Sequence, residues 1–395
     1  MSGALANIYN NLNYALSLHS KAITHLQEQA STGARVNRVS DDPSAAYNIL
    51  GLNSQERFLT SYMDTLSEAV STLEVSTSVI EDAISDFTEV KKLLTQVASG
   101  TYQEDGRQRV AEQVNNILEQ IVSLANTKHM HQYVFGGTNT ASAPYVAQRQ
   151  DGNITRVTYQ GSSENRNVEV APGLESSAFY IGDKIFRLDS RGDPLFLGRT
   201  GARCGTGTAN VSGTVWLTVI HDGTNYKLSI DDGQTYVTVP PGGDTNQAVT
   251  DSRTGQVLYV DSTQINSTGV ETVCIPGTDD IFSILIGIRD VLQNERQLPE
   301  DQLRDLLRNS LDSIEQIDNL LLQAGISVGS RIGFLSSLKD SLESRRYDTR
   351  DEVTRLQEAD IAQVAIDLSR RQVLYEMSLS VAGKLMSLSL LDFIE

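Results

Sequence analysis

Cysteine, tryptophan, histidine and proline are all scarce in this chain: two, one, five and eight among 395 residues. Two cysteines, Cys204 and Cys274, exclude a disulfide framework. They leave either a single bridge, if the protein works outside the cell, or two unrelated buried thiols. Five histidines leave little room for imidazole chemistry. His19 falls on an apolar helical stripe and reads as a core-edge residue, and His129-Met130-His131, if helical, aims its two rings apart and makes no metal pair. No H-E-x-x-H, P-loop or dinucleotide-binding motif occurs. Gly325-Ile-Ser327-Val-Gly329 has the G-x-S-x-G spacing, but a helical pattern precedes it where a nucleophile elbow needs a strand, so an inter-helix turn is predicted there. No catalytic residue, metal or cofactor is expected.

Basic residues are also in deficit, 32 against 50 acidic, for a net charge of −18. A duplex phosphate backbone would be repelled, which argues against a nucleic-acid partner. No uncharged apolar run approaches the roughly 18 residues of a membrane span, so no membrane insertion is expected. The opening Met1-Ser2-Gly3-Ala4-Leu5 has no basic segment ahead of an apolar one, and no cleavable secretory signal is predicted.

What the chain does have is helical periodicity at both ends. Ile361, Ala365, Leu368, Gln372, Tyr375, Leu379, Ala382, Met386, Leu390 and Phe393 follow one another at helical spacing, so one face of a C-terminal helix is apolar except at Gln372. A second stripe, Leu374, Met377, Val381, Leu385, Leu388 and Leu391, lies beside it. A matching N-terminal stripe runs Leu5, Ile8, Leu12, Leu16, His19, Ile23, Leu26 and Ala30. One intrachain mate covers one face, so the second C-terminal stripe is predicted to need a partner outside the chain.

Inward from the ends, Gly33 permits a helix end, Ser40, Asp41 and Asp42 are all competent N-caps, and Pro43 suits a first helical turn. Leu59, Leu66, Leu73, Ile80, Phe87 and Leu94 then recur every seventh residue, with Tyr62, Ala69, Ser76, Ala83, Val90 and Val97 between them, which predicts a coiled-coil helix. A third helix is predicted over about 105–127. From 138 to 278 the texture changes to Gly, Thr, Ser, Asn and Asp, and short alternating runs appear at 154–159, 167–170, 215–220, 226–230, 236–239 and 257–260. This predicts an inserted antiparallel β domain. Helix returns at Asp279, restarts at Pro299, and is expected to break across Gly325–Gly329 before running on through Arg345, Arg346, Arg350 and Arg355. With Arg35 and Arg38 these arginines read either as solvated charge or as pairing groups toward acidic neighbouring subunits. The predicted fold class is α+β: an antiparallel helical coiled coil built from both chain ends (1–40 with 356–395, then 41–137 with 279–355), carrying the β insertion.

Four stretches resemble the flagellin-like family of bacterial flagella. They are Ser31-Thr-Gly-Ala-Arg-Val-Asn-Arg-Val-Ser-Asp-Asp-Pro43, Ser123-Leu-Ala-Asn126 with Tyr133-Val-Phe-Gly-Gly137, Val328-Gly-Ser-Arg-Ile-Gly333, and Glu358-Ala-Asp-Ile-Ala362 with the apolar tail after it. Within the family, Ser40-Asp-Asp-Pro43, Tyr159-Gln-Gly161, Arg166, Gly173, Gly182, Ile185-Phe186 and the close at Ser387-Leu-Ser-Leu-Leu391 most resemble the members that join hook to filament. The opening Met-Ser-Gly-Ala departs from the pattern, and nothing is carried onto roughly 187–278. The resemblance implies a structural, non-enzymatic subunit, exported through the flagellum's own channel and working extracellularly at the hook–filament junction. It implies terminal helices that pack against neighbouring copies, a hook-associated protein on the hook side, flagellin on the filament side, and a cytosolic chaperone on the C-terminal stripe. A filament-forming flagellin, or an extracellular binding module on a helical stalk, are the competing readings.

Overall fold

A computed structural model of the chain describes residues 2–99, 104–150 and 152–394. Three helices open it, α1 (Ser2–Thr32), α2 (Pro43–Ala98) and α3 (Glu104–Ala125), followed by the strands β1 (Lys128–His129), β2 (Gln132–Tyr133), β3 (Tyr145–Gln150), β4 (Asn153–Tyr159), β5 (Arg166–Ala171) and β6 (Leu174–Phe179). A short helix α4 (Gly182–Phe186) precedes β7 (Leu195–Leu197), β8 (Arg203–Cys204), β9 (Gly213–His221), β10 (Tyr226–Ser229), β11 (Val237–Thr238), β12 (Gln247–Thr250), β13 (Val257–Asp261) and β14 (Gly269–Ile275). Three helices close the chain, α5 (Ile281–Gln293), α6 (Glu300–Gln357) and α7 (Ile361–Ile394). Among the described residues no helix is long and apolar enough to cross a membrane. By packing the chain divides into two compact units, 1–64 with 338–395, and 65–337.

In the second unit the heptad residues Leu66, Leu73, Ile80, Phe87 and Leu94 are fully buried, as are Val114, Leu118 and Ile121 of α3 and Ile314, Ile317, Leu321, Val328 and Leu335 of α6. Ser76, at a heptad position, is buried too, and its hydroxyl donates to the Thr72 carbonyl of its own helix at 3.0 Å. The α6 stripe passes through Gly325 without a break, which corrects the predicted turn at Gly325–Gly329. Good helix formers and a fully buried Val328 on the seam outweigh the roughly 1 kcal/mol each glycine costs. Gly325 faces α2, where a Cβ would stand 3.7 Å from Ile80 Cγ2.

The β region begins earlier than predicted. β1 and β2 form a hairpin whose turn is Met130-His131, both at positive φ, so the histidine pair lies in a tight turn and not on a helix. Asn126 then acts as a strand surrogate, its amide exchanging hydrogen bonds with the backbone of Tyr145 at 2.9 and 3.0 Å. The buried Arg289 of α5 reaches the Ile154 carbonyl at 2.7 Å and Asn115 at 3.0 Å, joining α5, β4 and α3. Phe135, Tyr145, Tyr159, Phe186 and Phe282 form an aromatic cluster beside it.

Beyond this base a five-stranded sheet, β11-β10-β9-β14-β7, and a three-stranded sheet, β12-β13-β8, share one core: Leu217, Val219, Leu228, Val273 and Ile275 from the first, Val249, Leu258 and Val260 from the second. Each of the six alternating runs falls on a strand, but β14, which pairs with both β9 and β7, was not among them. It carries Glu271 on the same side as Val273 and Ile275, which spoils the alternation; the carboxylate is buried and accepts from Thr200 N at 3.2 Å. Cys204 and Cys274 are free thiols on strands of different sheets, so the single bridge does not form.

Gly325→Ala tests the uninterrupted helix. The backbone is helical there and a methyl group meets Ile80 at ordinary contact distance. The variant should gain about 0.5–1 kcal/mol, read as a higher urea midpoint at unchanged slope. A loss of stability would mean the chain needs a turn at this position.

Candidate assembly surface

In the first unit α1 and α7 pack side by side. On α1 one half-buried line is Leu12, Leu16, His19, Ile23 and Leu26, in alternating steps of four and three, with Ala15, Ala22, His25 and Glu28 half-buried beside it. The stripe then departs from the sequence reading: Gln29 is buried and Ala30 is exposed. The reason is a hydrogen bond, since Gln29 Nε2 donates to the Arg35 carbonyl at 2.9 Å, which sends the side chain inward. Leu5, Ile8, Leu385, Met386, Leu388, Leu390 and Leu391 lie on the two helices, but their side chains are outside the described residues.

On α7 the covered line is Val364, Leu368, Tyr375 and Ala382. Val364 is buried and was missing from the expected set, while Ile361 and Leu379, members of it, are exposed. Leu374, Met377 and Val381 are exposed as well, and so are Ile366 and Val373. At the helical advance per residue, Ile366, Val373, Met377 and Val381 share a face roughly 180° around the helix from the Leu368–Tyr375 line. Met377 is 61% exposed and Ile366 equally so, which is far from what these side chains adopt in a finished fold. Stepping back from Met377 by four and then seven would have found Val373 and Ile366 in the sequence. Toward the α1 side an open cleft of about 490 Å³ is lined by Ala22, His25 and Leu26 of α1 and Asp367, Arg370, Arg371 and Leu374 of α7.

The interruptions between α1 and α2 and between α6 and α7 are tied to each other. Gly33, at φ 73°, ends α1 in the left-handed region that glycine adopts without strain. Ala34 then pairs antiparallel with Glu358: Arg35 N donates to the Gln357 carbonyl at 2.6 Å and Ala359 N to the Gly33 carbonyl at 2.9 Å. Val36 packs with Ala45, Ala46 and Ile49 of α2 and with Val353 and Leu356 of α6. Of the three candidate caps it is Asp42 that starts α2, accepting from Ala45 N at 3.0 Å with Pro43 in the first turn. Asp41 instead shapes the loop, accepting from Arg38 N at 2.8 Å and Asn37 N at 3.0 Å, with His25 Nε2 3.3 Å from its other oxygen. Asp360 starts α7 in the same manner, taking Gln363 N at 3.1 Å.

Four of the six arginines at this level find partners within their own chain. Arg35 holds Asp42 at 3.0 Å and the Leu356 carbonyl at 3.2 Å, Arg38 holds Glu28 at 3.2 Å, Arg346 meets Glu343 at 3.5 Å, and Arg355 meets Asp351 at 2.8 Å. Exposed pairs of this kind are worth roughly 0–1 kcal/mol. They make these four arginines local staples; among the described residues Arg345 and Arg350 are not paired in this way.

Comparison with known proteins meets this geometry from outside. Residues 6–140 match the family described as bacterial flagellin N-terminal helical region. The chain is 29% identical over 162 residues to flagellar hook-associated protein 3 of Escherichia coli strain K12, covering 40% of this chain and 48% of that protein. Against flagellar hook-associated protein 3 of Salmonella typhimurium strain LT2 it is 30% identical over 121 residues, 30% of this chain and 38% of that one. The chain thus spans about half the length, or less, of these curated relatives. The crystal structure of flagellar hook associated protein-3 from Legionella pneumophila superposes with a TM-score of 0.54 at 17% identity, over 78% of this chain and 98% of that one. The likeness to the flagellin N-terminal region lies in the first third of the chain, and the fold, helical ends with an inserted β region, is shared with that structure.

The loop carboxylates make the boundary sensitive to acid. Backbone donors, Arg38 N for Asp41 and Ala45 N for Asp42, hold both carboxyls below the usual aspartate value, with His25 and Arg35 adding to the effect. Their contribution is therefore present above about pH 4 and lost as pH falls through the lowered folded values. Asp42→Asn should lower the urea midpoint of the full chain at pH 7, and the gap to wild type should close below about pH 4. A gap that stays constant down to pH 3 would remove Asp42 from this role.

Proposed function

We propose that this flagellin-like chain is a structural subunit of the bacterial flagellum that forms the junction between hook and filament, assembled through its terminal helices. The observation that carries the reading is the face of α7 formed by Ile366, Val373, Met377 and Val381, left open nearly opposite the face that α1 covers. Burying each such side chain contributes roughly 1.5–3 kcal/mol, which a neighbouring copy supplies and the single chain does not. The similarity to hook-associated protein 3 of two organisms supports the junction over other flagellar positions.

On this reading the terminal pair, 1–40 with 356–395, is the assembly domain, and Leu5, Ile8, Leu385, Met386, Leu388, Leu390 and Leu391 are assigned to it from the sequence. Neighbouring copies occupy the open face in the assembled ring. A hook-associated protein lies on the hook side and flagellin on the filament side, outside the cell. Before assembly a cytosolic export chaperone shields the same face. The protein carries no catalysis; the Ser327 spacing that resembles a nucleophile motif sits inside α6, where an elbow cannot form. A filament-forming flagellin is the second reading, since the same open face would serve a long polymer.

Incubation of purified protein with isolated hooks and with filament seeds separates these readings. Capping of hooks without elongation is expected; long homopolymers would overturn the junction reading in favour of the filament. Met377→Asp, a charge on the open face, should leave the helical circular-dichroism signal of the free chain unchanged while abolishing capping. Capping at wild-type level by this variant would place the assembly surface elsewhere.

A further inference from the structure

Residues 193–275, which carry the two-sheet core, enter and leave through two adjacent segments, 187–192 and 276–280, zipped as a short antiparallel ladder. Arg187 pairs with Asp280, Leu188 N donates to the Asp279 carbonyl at 3.0 Å, Ser190 N to Gly277 at 3.0 Å and Gly192 N to Pro276 at 2.9 Å. Gly277, at φ 73°, permits the approach; a Cβ there would fall on the Ser190 carbonyl. Thr278 Oγ1 fastens the exit strand to the sheet, accepting from Gly213 N and donating to the Ile275 carbonyl, both at 2.8 Å. Asp280 caps α5, accepting from Phe282 N at 3.0 Å and Ser283 N at 2.7 Å in a capping box. The neck therefore couples the β module directly to the start of a core helix.

One group in this joint has no counterpart. Asp279 is 3% exposed, and among the described residues its Oδ1 has no hydrogen-bond partner. The space beside it is taken by the backbone of Gly213, where a Cβ would stand 2.9 Å from that oxygen. The charged and titratable groups around it offer little relief. Asp280 on its own segment is a second carboxyl, and the helix N-terminus and Arg187 of the entry strand act on Asp280. Arg187 is shared with Asp183 of α4 at 3.3 Å. Cys274 of β14 is a thiol that burial, with Asp279 adding, pushes up to about 11. Tyr145 of β3, on the Asp280 side, is a phenol that burial raises well above its ordinary value, with Tyr159, Asp183 and Asp280 adding. One positive environment serves Asp280, and an ionised Asp279 would be the surplus charge.

We propose that the 187–192/276–280 neck is a proton-operated clasp: neutral Asp279 lets the ladder close and seats the β module on α5, and charged Asp279 slackens it. Burial, with Asp280 beside it, pushes the Asp279 carboxyl up to about 7. Because the folded value lies above the unfolded one of about 3.9, the contribution is full in acid, declines as pH rises from about 4, and is gone above pH 7. The clasp is tight in acid and loose in alkali, opposite in sign to the Asp41–Asp42 boundary.

Amide protection factors of Leu188, Ser190 and Gly192 in the full chain, each normalised for the intrinsic pH dependence of exchange and referred to the sheet-core amides of Leu217 and Val273, read the clasp directly. Between pH 5 and pH 8 the wild-type neck factors should fall by about tenfold or more while the core factors hold. Asp279→Asn keeps the shape without the charge and should retain at pH 8 the protection that wild type has at pH 5. The sole tryptophan, Trp216, three residues beyond Gly213, gives an independent optical midpoint, near 7 in wild type and absent in the variant. Neck protection that is flat from pH 5 to 8 in wild type, or a variant that titrates like wild type, overturns the proposal.

Discussion

Two backbone hydrogen bonds, between residues more than three hundred positions apart, hold the boundary of the first unit. The pairing of Ala34 with Glu358 fixes the break after α1 opposite the break before α7, so both terminal helices start from one level. Everything around the pair serves it. Gly33 turns the chain without strain, Asp41 gathers the loop amides, Asp42 and Asp360 satisfy the first turns of the outgoing helices, and Val36 plugs the gap between α2 and α6. Joining segments so distant carries a large closure entropy. Two hydrogen bonds worth roughly 1 kcal/mol each do not offset that alone, so the Val36 cluster and the α1–α7 packing are required partners of the bridge.

The way α7 divides its surface follows. A helix held by one neighbour covers one stripe, and α7 turns Val364, buried, with Leu368, Tyr375 and Ala382, half-buried, toward α1. Its composition provides for two. The residues of the open face are large and flexible or β-branched, with no charged exposed position between Val373 and Val381 except Glu376. Such a surface is costly in water and gains when a second apolar surface arrives, which ties the packing of a single chain to its behaviour in numbers.

Much of this was legible in the sequence because helices write their burial into spacing. Leu66 to Leu94 recur at seven and are buried at seven, and the helix break at Gly33 with its cap and Pro43 was readable from residue chemistry. The failures share a cause: a contact distant in sequence overrode a local rule. Gly325 looked like a turn because glycine usually is one, but the helix runs through it beside Ile80. Glu271 hid β14 because a carboxylate on an inward position contradicts alternation, and only the Thr200 amide, seventy-one residues away, explains it. Gln29 displaced Ala30 from the stripe because it serves the Arg35 carbonyl. The boundary arginines were visible as a cluster, but their acidic partners, Asp42, Glu28, Glu343 and Asp351, were identifiable only once the loops were placed. Ile366 and Val373 were available to periodicity and needed only a longer stripe.

The stretch of the seam where Ser76 satisfies its own hydroxyl and Gly325 stands beside Ile80 has a bearing on alignment. A heptad repeat is degenerate: sliding one helix past another by seven residues recovers most of the same pairing. A glycine opposite a full-sized aliphatic removes that degeneracy. One heptad of slip would bring Phe87 or Leu73 over Gly325 and set Ile80 beside Asp318 or Ile332 instead, so the slipped pairing is not equivalent to the native one. The smallest residue in the seam thus acts as a zero mark on a ruler, and it sets how far along α2 the returning chain lies.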